Sequence, residues 1–151
     1  MRWATHGALP AGILLLWGLA ALFGPALPLA PNQIALPQIL ERPSAAFPMG
    51  TDDLGRPVLD RLIVGARTSF LVAIGVVSLS LVVGVLIGGT AGYLGGWVDL
   101  VLMRLIDVFL AFPGILLAIA LAGMLGPGLG NLVVALAAVG WVGYARLTRA
   151  Q

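Results

Sequence analysis

The 151-residue sequence contains no cysteine and no lysine, and its only histidine is His6. Without cysteine there is no disulfide and no thiolate metal site, and one histidine cannot form a zinc or nickel site alone. The absence of lysine excludes a P-loop, whose lysine contacts the phosphates of a nucleotide, and it excludes Schiff-base chemistry. Enzyme classes that depend on these groups are therefore excluded for this sequence.

Charged residues are also scarce. They make up 9% of the chain, whereas about 25% of a typical soluble domain is charged. Hydrophobic residues make up 60%, and the mean hydropathy is +1.08. This composition is typical of a membrane protein, so the lipid bilayer is the first expected partner. The formal net charge is only +2 and no basic patch recurs, so we expect no nucleic-acid partner.

Apolar runs predict four transmembrane helices, near residues 9–27, 69–89, 98–125 and 132–147. A helix of about 20 residues crosses the hydrocarbon core, which is about 30 Å thick. The alternative for the first run is a cleaved signal peptide, but Pro25, Pro28 and Pro31 do not suit a cleavage site of the A-x-A type. We therefore interpret it as an uncleaved span.

A charged segment divides these runs and defines three predicted regions. Residues 1–46 contain the first span and a proline-rich external loop, residues 47–67 a charged loop and an amphipathic helix, and residues 68–151 the remaining spans. The short amphipathic helix is predicted because apolar residues recur at helical spacing from Val58, opposite the charged ones. Asp52 and Asp53 are predicted to cap this helix and to bond Arg56 or Arg61. Catalysis is not expected, since adjacent carboxylates point apart and no nucleophile accompanies them.

Small residues follow one another at intervals of four in the second span. They are Ser80, Gly84, Gly88 and Gly92, and the interval extends to Gly96, which we assign with its neighbouring glycine to a turn. In lipid, close approach of small residues drives helix association, because apolar surface alone gives no preference for protein over lipid. The pattern therefore predicts a helix-packing face.

The third span carries Arg104 and Asp107, followed by Pro113. In a helix that begins near Trp97, Asp107 lies about 15 Å along the axis. A carboxylate at that depth costs several kcal/mol unless it is paired or hydrated, so Asp107 is a candidate functional residue that would line a polar pathway. The alternative is an interior polar pair in which Arg104 neutralises Asp107 on the same helix face. Pro113 is predicted to kink the helix, because it lacks the backbone N–H.

The distribution of arginines does not determine the orientation. With the N-terminus inside, the cytoplasmic side holds Arg2, Arg146 and Arg149, with Arg104 close by, and the opposite side holds Arg42, Arg56, Arg61 and Arg67. The positive-inside rule gives a tie for these two sets.

Several phrases resemble the second permease subunit of the ABC importers for dipeptides, oligopeptides and nickel. The first is a signature loop that contains Gly50, Thr51, Asp52, Asp53, Gly55 and Arg56; the others are residues 65–67, 91–99, 103–108, 111–113, 125–128 and 144–151. The phrases occur in the order of that family and cover residues 47–151. Residues 1–46 match only in kind, as one span and a proline-rich loop.

The resemblance implies an all-α integral membrane protein with the six-span fold of type I ABC importer permeases, in a bacterial-type inner membrane with a cytoplasmic N-terminus. It implies three kinds of protein partner: a second permease subunit, two cytoplasmic ATPase subunits and an extracytoplasmic substrate-binding protein. No catalytic, metal or cofactor residue is implied in this chain, and ATP would bind to the partner ATPase subunits. In the family a cytoplasmic loop with a Glu-Ala-Ala coupling motif follows the fourth span, so we expect this chain to be a truncated form that inserts into membrane without supporting transport.

The function that we predict is a subunit of a translocation pathway for peptides or a similar small solute, with a nickel importer permease as the alternative. A different class, a small structural or enzymatic membrane protein, would need a nucleophile–base or metal set that converges within the spans. Away from their ends, the spans offer serines, one acid and one arginine, which favours transport.

Overall fold

The computed structural model describes residues 4–151, with side chains from residue 9 onward, so that Arg2 and the side chain of His6 lie outside the described part. The helices are α1 (Ala4–Phe23), α2 (Val58–Leu94), α3 (Gly96–Leu110), α4 (Gly114–Leu125) and α5 (Leu129–Arg149), with single 3-10 turns at Gly24–Ala26 and Leu36–Gln38. From residue 4 to residue 151 there is no β-strand, only an isolated bridge between Thr51 and Pro57. The predicted all-α fold class is confirmed.

Within residues 4–151, three helices are long and apolar enough to cross a membrane. They contain residues Leu9–Ala26, Val58–Leu94 and Leu129–Arg149. The pair formed by α3 and α4 passes the same test jointly, although the two helices meet at an angle of 85°.

The prediction of a short amphipathic helix separate from the second span is wrong at its boundary. Helix α2 runs without interruption through 37 residues, which corresponds to about 55 Å. The segment contains no proline, and Gly65 is helical. Charges at Asp60, Arg61 and Arg67 change which surfaces of a helix prefer water, but they do not break its backbone hydrogen bonds.

The chain divides into two compact units, one up to Leu71 and one from Val72 onward. In the first unit, α1 packs against the first turns of α2. The indole N–H of Trp17 donates to the Ala66 carbonyl at 3.0 Å, and the Trp17 ring meets Phe70 edge-on with centroids 6.1 Å apart. At Gly24 an added Cβ would lie 2.6 Å from Ile63 Cγ2, so only glycine permits this approach.

In the second unit, α5 runs parallel to the part of α2 that it contacts. Gly75 faces Val133, Gly88 faces Ala145, and the next turn of α2 reaches the end of α5, so residue numbers rise together along both helices. Two parallel helices require the chain between them to return across the same thickness. The bent pair α3–α4 supplies that return if its two helices form one span. The described residues then contain four candidate spans, the number predicted, whereas three helices pass the test individually.

A small apolar core joins three of these helices. It consists of Ile106 from α3 and Trp141, Val142 and Ala145 from α5, flanked by Val83, Ile87, Met103 and Phe109. Helix α4 packs along α5, and the turn between them is closed by Asn131, whose side-chain amide donates to the carbonyl of Leu125 at 2.8 Å. Position 126 of that turn has φ +81°, which favours its glycine.

Candidate functional site

The small residues at intervals of four lie at the contact between α2 and α5, which we call the α2–α5 seam. Ser80, Gly84 and Gly88 are buried. An added Cβ at Gly84 would lie 2.7 Å from the Trp141 carbonyl oxygen, and one at Gly88 would overlap the Ala145 backbone. These two glycines therefore set the distance between the helices.

Gly92 differs from the other members of the set. A Cβ there would lie 3.5 Å from the carbonyl oxygen of Arg149, which is ordinary van der Waals contact. The structure thus places Gly92 at the end of the seam, where a side chain has room.

The third predicted span is broken rather than kinked. Helix α3 ends at Leu110, α4 begins at Gly114, and Pro113 precedes α4 in an extended conformation with φ −60° and ψ 113°. The sequence prediction of a kink underestimated the effect of Pro113. A proline removes one backbone donor, and it also disfavours helical geometry for the residue before it, which here is Phe112.

The break lies beside the middle of α5. On the α3 side, the rings of Phe109 and Trp141 meet edge-on with centroids 5.3 Å apart. On the α4 side, a Cβ added at Gly114 would lie 3.1 Å from Val139 Cγ1. Val139 is ten residues from either end of α5, so a non-helical segment lies at mid-depth of a membrane-crossing helix. Backbone of this kind is tolerated in a membrane only against protein or water.

The described part of the chain leaves this break uncovered. Ala111, Phe112 and Pro113 are exposed, and the side of the break carries an apolar cleft of about 160 Å³ lined by Val108, Phe109, Phe112 and Leu117. No side chain caps the start of α4, so its first backbone N–H groups lack the partners that a capping residue would supply.

Asp107 lies one turn before the break and is exposed as well. Its carboxylate is 3.8 Å from the Arg104 guanidinium, and the two side chains are 62% and 77% exposed. The pairing with Arg104 exists but is long, and the expectation of an interior pair does not hold within this chain, which encloses neither group. Facing lipid, a carboxylate held this loosely would be costly.

A second ion pair in this unit was not predicted. The guanidinium of Arg149, at the end of α5, donates through Nε and Nη2 to the two carboxylate oxygens of Asp99, in the first turn of α3; the Nη2–Oδ2 distance is 2.6 Å. Fifty residues separate the partners, so no helical periodicity connects them. The only signal in the sequence was a charge at the end of each of two apolar helices.

The signature loop folds onto the segment that precedes it. The Thr51 hydroxyl, in a residue that is buried, accepts a hydrogen bond from the Glu41 N–H at 2.8 Å and donates to the Gln38 carbonyl. Gly50 and Gly55 have φ near +70°, and an added Cβ at either position would overlap a carbonyl oxygen of the facing segment. The loop therefore requires glycine at both positions.

Asp52 is the centre of the loop's hydrogen bonds. One carboxylate oxygen accepts the N–H of Leu54 at 2.9 Å and of Arg56 at 3.0 Å, and the other accepts Arg56 Nε at 2.8 Å. Arg61 lies 3.4 Å away. Desolvation raises the pKa of Asp52, but the hydrogen bonds from Arg56 and Leu54 together outweigh it and hold the pKa below its ordinary value.

The predicted ion pairs of the loop are thus present, whereas the predicted helix cap is not. Asp52 bonds amides of the turn before α2 rather than amides of α2 itself. Asp53 is exposed and lies 3.8 Å from Arg56. A third carboxylate, Asp60, accepts the backbone N–H of Ala30 at 2.9 Å and ties the chain after α1 to the start of α2.

Known proteins of one family match this sequence. The family model described as "Binding-protein-dependent transport system inner membrane component" matches residues 84–151. A dipeptide transport system permease protein of Bacillus subtilis is 42% identical over 92% of this chain and 44% of its own length. A nickel transport system permease protein of Escherichia coli K12 is 40% identical over 98% of this chain and 53% of its own length. A glutathione transport system permease protein of Pectobacterium atrosepticum is 39% identical over 95% and 49%, respectively.

The chain belongs to this family. The matches agree with the resemblance that the sequence indicated, and the chain spans about half the length of the curated relatives it matches. The family model covers the seam from Gly84 onward, both ion pairs of the second unit and the break. The signature loop lies outside the family model but inside the aligned part of these permease relatives, which extends over more than nine-tenths of the chain.

The second unit of this permease therefore combines a tight seam with a crossing whose polar groups are uncovered. Among the side chains from residue 9 onward, no three His, Cys, Asp or Glu groups come close enough to hold a metal ion. Around the break, the exposed polar features are the Asp107 carboxylate, the Arg104 guanidinium and the backbone at 111–113, which do not form a reactive set.

Proposed function

We propose that this chain forms part of the translocation pathway of an ATP-driven, binding-protein-dependent importer for peptides or a similar small solute. A second permease subunit, two cytoplasmic ATPase subunits and an extracytoplasmic substrate-binding protein complete the transporter. ATP binds to the ATPase subunits, and this chain performs no bond chemistry. The proposal rests on family membership and on the names of the permease relatives.

The single observation that carries the pathway role is the uncovered break in the third crossing. At mid-depth, the exposed backbone at 111–113 and the exposed carboxylate of Asp107 both avoid lipid. This surface must face water or protein, and it carries a polar group one turn from an apolar cleft. Such a surface suits a solute that is itself part polar and part apolar.

A peptide fits these groups better than a bare metal ion does. The ammonium group of a peptide can pair with one carboxylate, and an apolar side chain can occupy the cleft beside Phe112. A divalent metal ion prefers several ligands, and the described side chains contain no group of three His, Cys, Asp or Glu that could hold one. Nickel transport is the second candidate because the nickel permease relative is 40% identical to this chain.

The orientation that we propose has a cytoplasmic N-terminus. Four crossings return the two ends of the chain to the same side of the membrane. Arg146 and Arg149 in the last turn of α5 suit a cytoplasmic end, but the arginines of the opposite loop balance them under the positive-inside rule. The proposed orientation therefore rests on the family resemblance. In this orientation the signature loop is external.

The first experiment measures water access to the break. Because the chain contains no cysteine, single-cysteine variants give an unambiguous label. Ala111→Cys, in the break, is expected to react with a charged thiol reagent in the assembled importer, and transported substrate is expected to slow the reaction. Ala120→Cys is the matched control, an exposed alanine within the unbroken apolar helix α4. The proposal would be contradicted if the cysteines at positions 111 and 120 were equally protected from the reagent.

The second experiment tests Asp107 directly. We expect Asp107→Asn to leave assembly of the importer intact and to lower substrate uptake, because only the charge that meets the solute is removed. Arg104→Gln, on the same helix, is the control for loss of the ion pair alone. Lower assembly with unchanged uptake per assembled importer would instead assign Asp107 a structural role.

A further inference from the structure

The pair formed by Asp99 and Arg149 joins two helices that otherwise touch at few points. Two nitrogens of the guanidinium donate to the two different oxygens of one carboxylate. This is the bidentate geometry in which arginine binds a carboxylate most specifically. Both side chains are less than half exposed. By contrast, Arg104 and Asp107 lie on one helix, are mostly exposed and are separated by 3.8 Å, so that pair joins no two elements.

The location of the pair favours both charges. Asp99 lies in the first turn of α3 and Arg149 in the last turn of α5. A carboxylate at a helix N-terminus and a guanidinium at a C-terminus each interact favourably with the helix dipole. Gly92 of α2 also lies against the Arg149 backbone. The ends of three helices thus meet at one ion pair.

The pair fixes one end of α3, and an aromatic contact fixes the other. Phe109 packs on Trp141 at the end that leads into the break. Asp107 lies between these two attachments, eight residues from Asp99, or about 12 Å along the helix. If the ion pair opens, the first turn of α3 loses this attachment to α5, and α3 is held only by its second half, where Ile106 lies in the core and Phe109 packs on Trp141. The tilt of α3, and with it the geometry of Asp107 and of the break, is then no longer fixed at both ends.

We infer that Asp99 and Arg149 are positioning residues, which hold α3 on the end of α5 and thereby set the geometry of Asp107 and of the break. A displacement of the end of α5 is transmitted to the break through this pair. The inference rests on the proposed function, in which the break lines the pathway. It assigns a role to two residues that do not touch the solute.

The test uses the complete importer in membranes and two measurements. The first is substrate uptake per ATP hydrolysed. The second is the distance distribution between spin labels at Val101→Cys on α3 and Leu147→Cys on α5, two exposed positions in a chain without native cysteine. Asp99→Asn and Arg149→Gln are each expected to broaden the distance distribution and to lower uptake per ATP by about tenfold. The loss of a hydrogen bond to a charged group changes an equilibrium constant by about that factor.

Charge exchange provides the rescue. The double variant Asp99→Arg with Arg149→Asp restores an attraction between the same two helix ends, although each charge then faces an unfavourable dipole, so a partial recovery of both measurements is expected. Arg104→Gln is the control and should leave the distance distribution unchanged. If a single variant does not assemble, the exchanged pair still decides the matter, because its assembly requires the attraction that we infer.

Two results would overturn the inference. One is a distribution and an uptake ratio that stay at wild-type values in both single variants. The other is a broadened distribution with unchanged uptake per ATP, which would make the pair structural only. Failure of the proposed function gives a different result. In the importer that carries only Ala111→Cys, substrate would then not slow the reaction of this cysteine with the thiol reagent.

Discussion

The signature loop and the α2–α5 seam are stabilised by opposite means. In the loop, directed hydrogen bonds converge on the side chains of Thr51 and Asp52. In the seam, Gly84 and Gly88 have no side chain, and contact between backbones replaces polar bonds. A loop outside the hydrocarbon gains from each satisfied polar group, whereas helices in lipid gain from close packing, because lipid competes for every apolar surface.

Glycine serves both regions for different physical reasons. In the loop, Gly50 and Gly55 adopt φ near +70°, which other residues reach only with strain. In the seam, the glycines are helical, and the space beside them decides their identity. Substitution by alanine therefore breaks the loop through conformation and the seam through distance, and the two effects can be separated.

The largest effect is expected for Gly88→Ala. The added methyl group would overlap the Ala145 backbone, which cannot rotate away, so α2 and α5 must move apart along the seam. We expect a destabilisation at or above the upper end of the roughly 1–3 kcal/mol that overpacking costs. The measurement is thermal unfolding in detergent together with assembly of the importer.

Gly143→Ala is the matched control for this change. It introduces the same methyl group into α5 at a position with no atom within 4 Å, so stability is expected to stay the same or rise slightly. Equal stabilities of the two variants would mean that the seam does not determine how α2 and α5 pack.

The next effect is expected for Gly55→Ala. A left-handed conformation costs a non-glycine residue roughly 1–2 kcal/mol, and the methyl group also overlaps the Ala35 carbonyl. We expect the loop to open locally while α2 stays folded, so amide hydrogen exchange should rise at Ala35, whose N–H donates to Leu54, and not in the seam. Faster exchange throughout α2 would contradict this separation of the two regions.

The sequence predicted the elements that depend on local pattern. Apolar runs identified the four crossings, and the interval of four identified Ser80, Gly84 and Gly88, which the structure places against α5. The charges of the loop indicated ion pairs of Asp52 with Arg56 and Arg61, because these partners lie within ten residues of one another. Local spacing carries this information in helices and turns.

The sequence did not predict features that depend on how distant segments meet. The Asp99–Arg149 pair could be predicted only if it were known that α2 and α5 run parallel, since this places the end of α5 beside the start of α3. The spacing of residues along the sequence does not contain that information. The size of the bend at Pro113 depends on the packing of α3 and α4 at different angles on α5, and a proline alone is compatible with a modest kink. The predicted boundary between residues 67 and 69 does not exist, because charge was interpreted as the end of one helix and α2 is continuous from Val58.

The pH dependence of the loop is a smaller effect. The pKa of Asp52 is lowered in the folded loop, so its charge contributes stability above the ordinary value of 3.8, and this contribution is lost as the pH falls through the still lower folded pKa. We expect slow amide exchange at Leu54 and Arg56 to persist at pH 5 and to fail only below about pH 4. Exchange is corrected for its intrinsic pH dependence. Loss of protection between pH 7 and pH 5 would contradict this assignment, and Asp52→Asn should show no such transition.

The smallest effect is expected for Ser80→Ala, and Thr51→Val gives the comparison, because each variant removes one buried hydroxyl group from one of the two regions. Thr51 is 6% exposed and makes two hydrogen bonds, whereas Ser80 is 1% exposed and its hydroxyl oxygen has no hydrogen-bond partner in the structure. Thr51→Val leaves the Glu41 N–H and the Gln38 carbonyl without their partner, which costs about 1–3 kcal/mol for each group that stays buried.

Ser80→Ala removes the unpaired hydroxyl itself, so the seam loses no hydrogen bond and is relieved of a buried polar atom. The hydroxyl lies beside Gly140, where an added Cβ would be only 2.7 Å from it, so the glycine at 140 leaves the space that the hydroxyl occupies. We expect a change between zero and about 1 kcal/mol in favour of the folded state, because burial of an unpaired polar group is unfavourable. Thermal unfolding measures the stability of both variants. If the seam depends on packing and the loop on hydrogen bonds, Ser80→Ala raises the stability and Thr51→Val lowers it. A loss of stability in Ser80→Ala would show instead that the seam, too, uses a polar bond at Ser80.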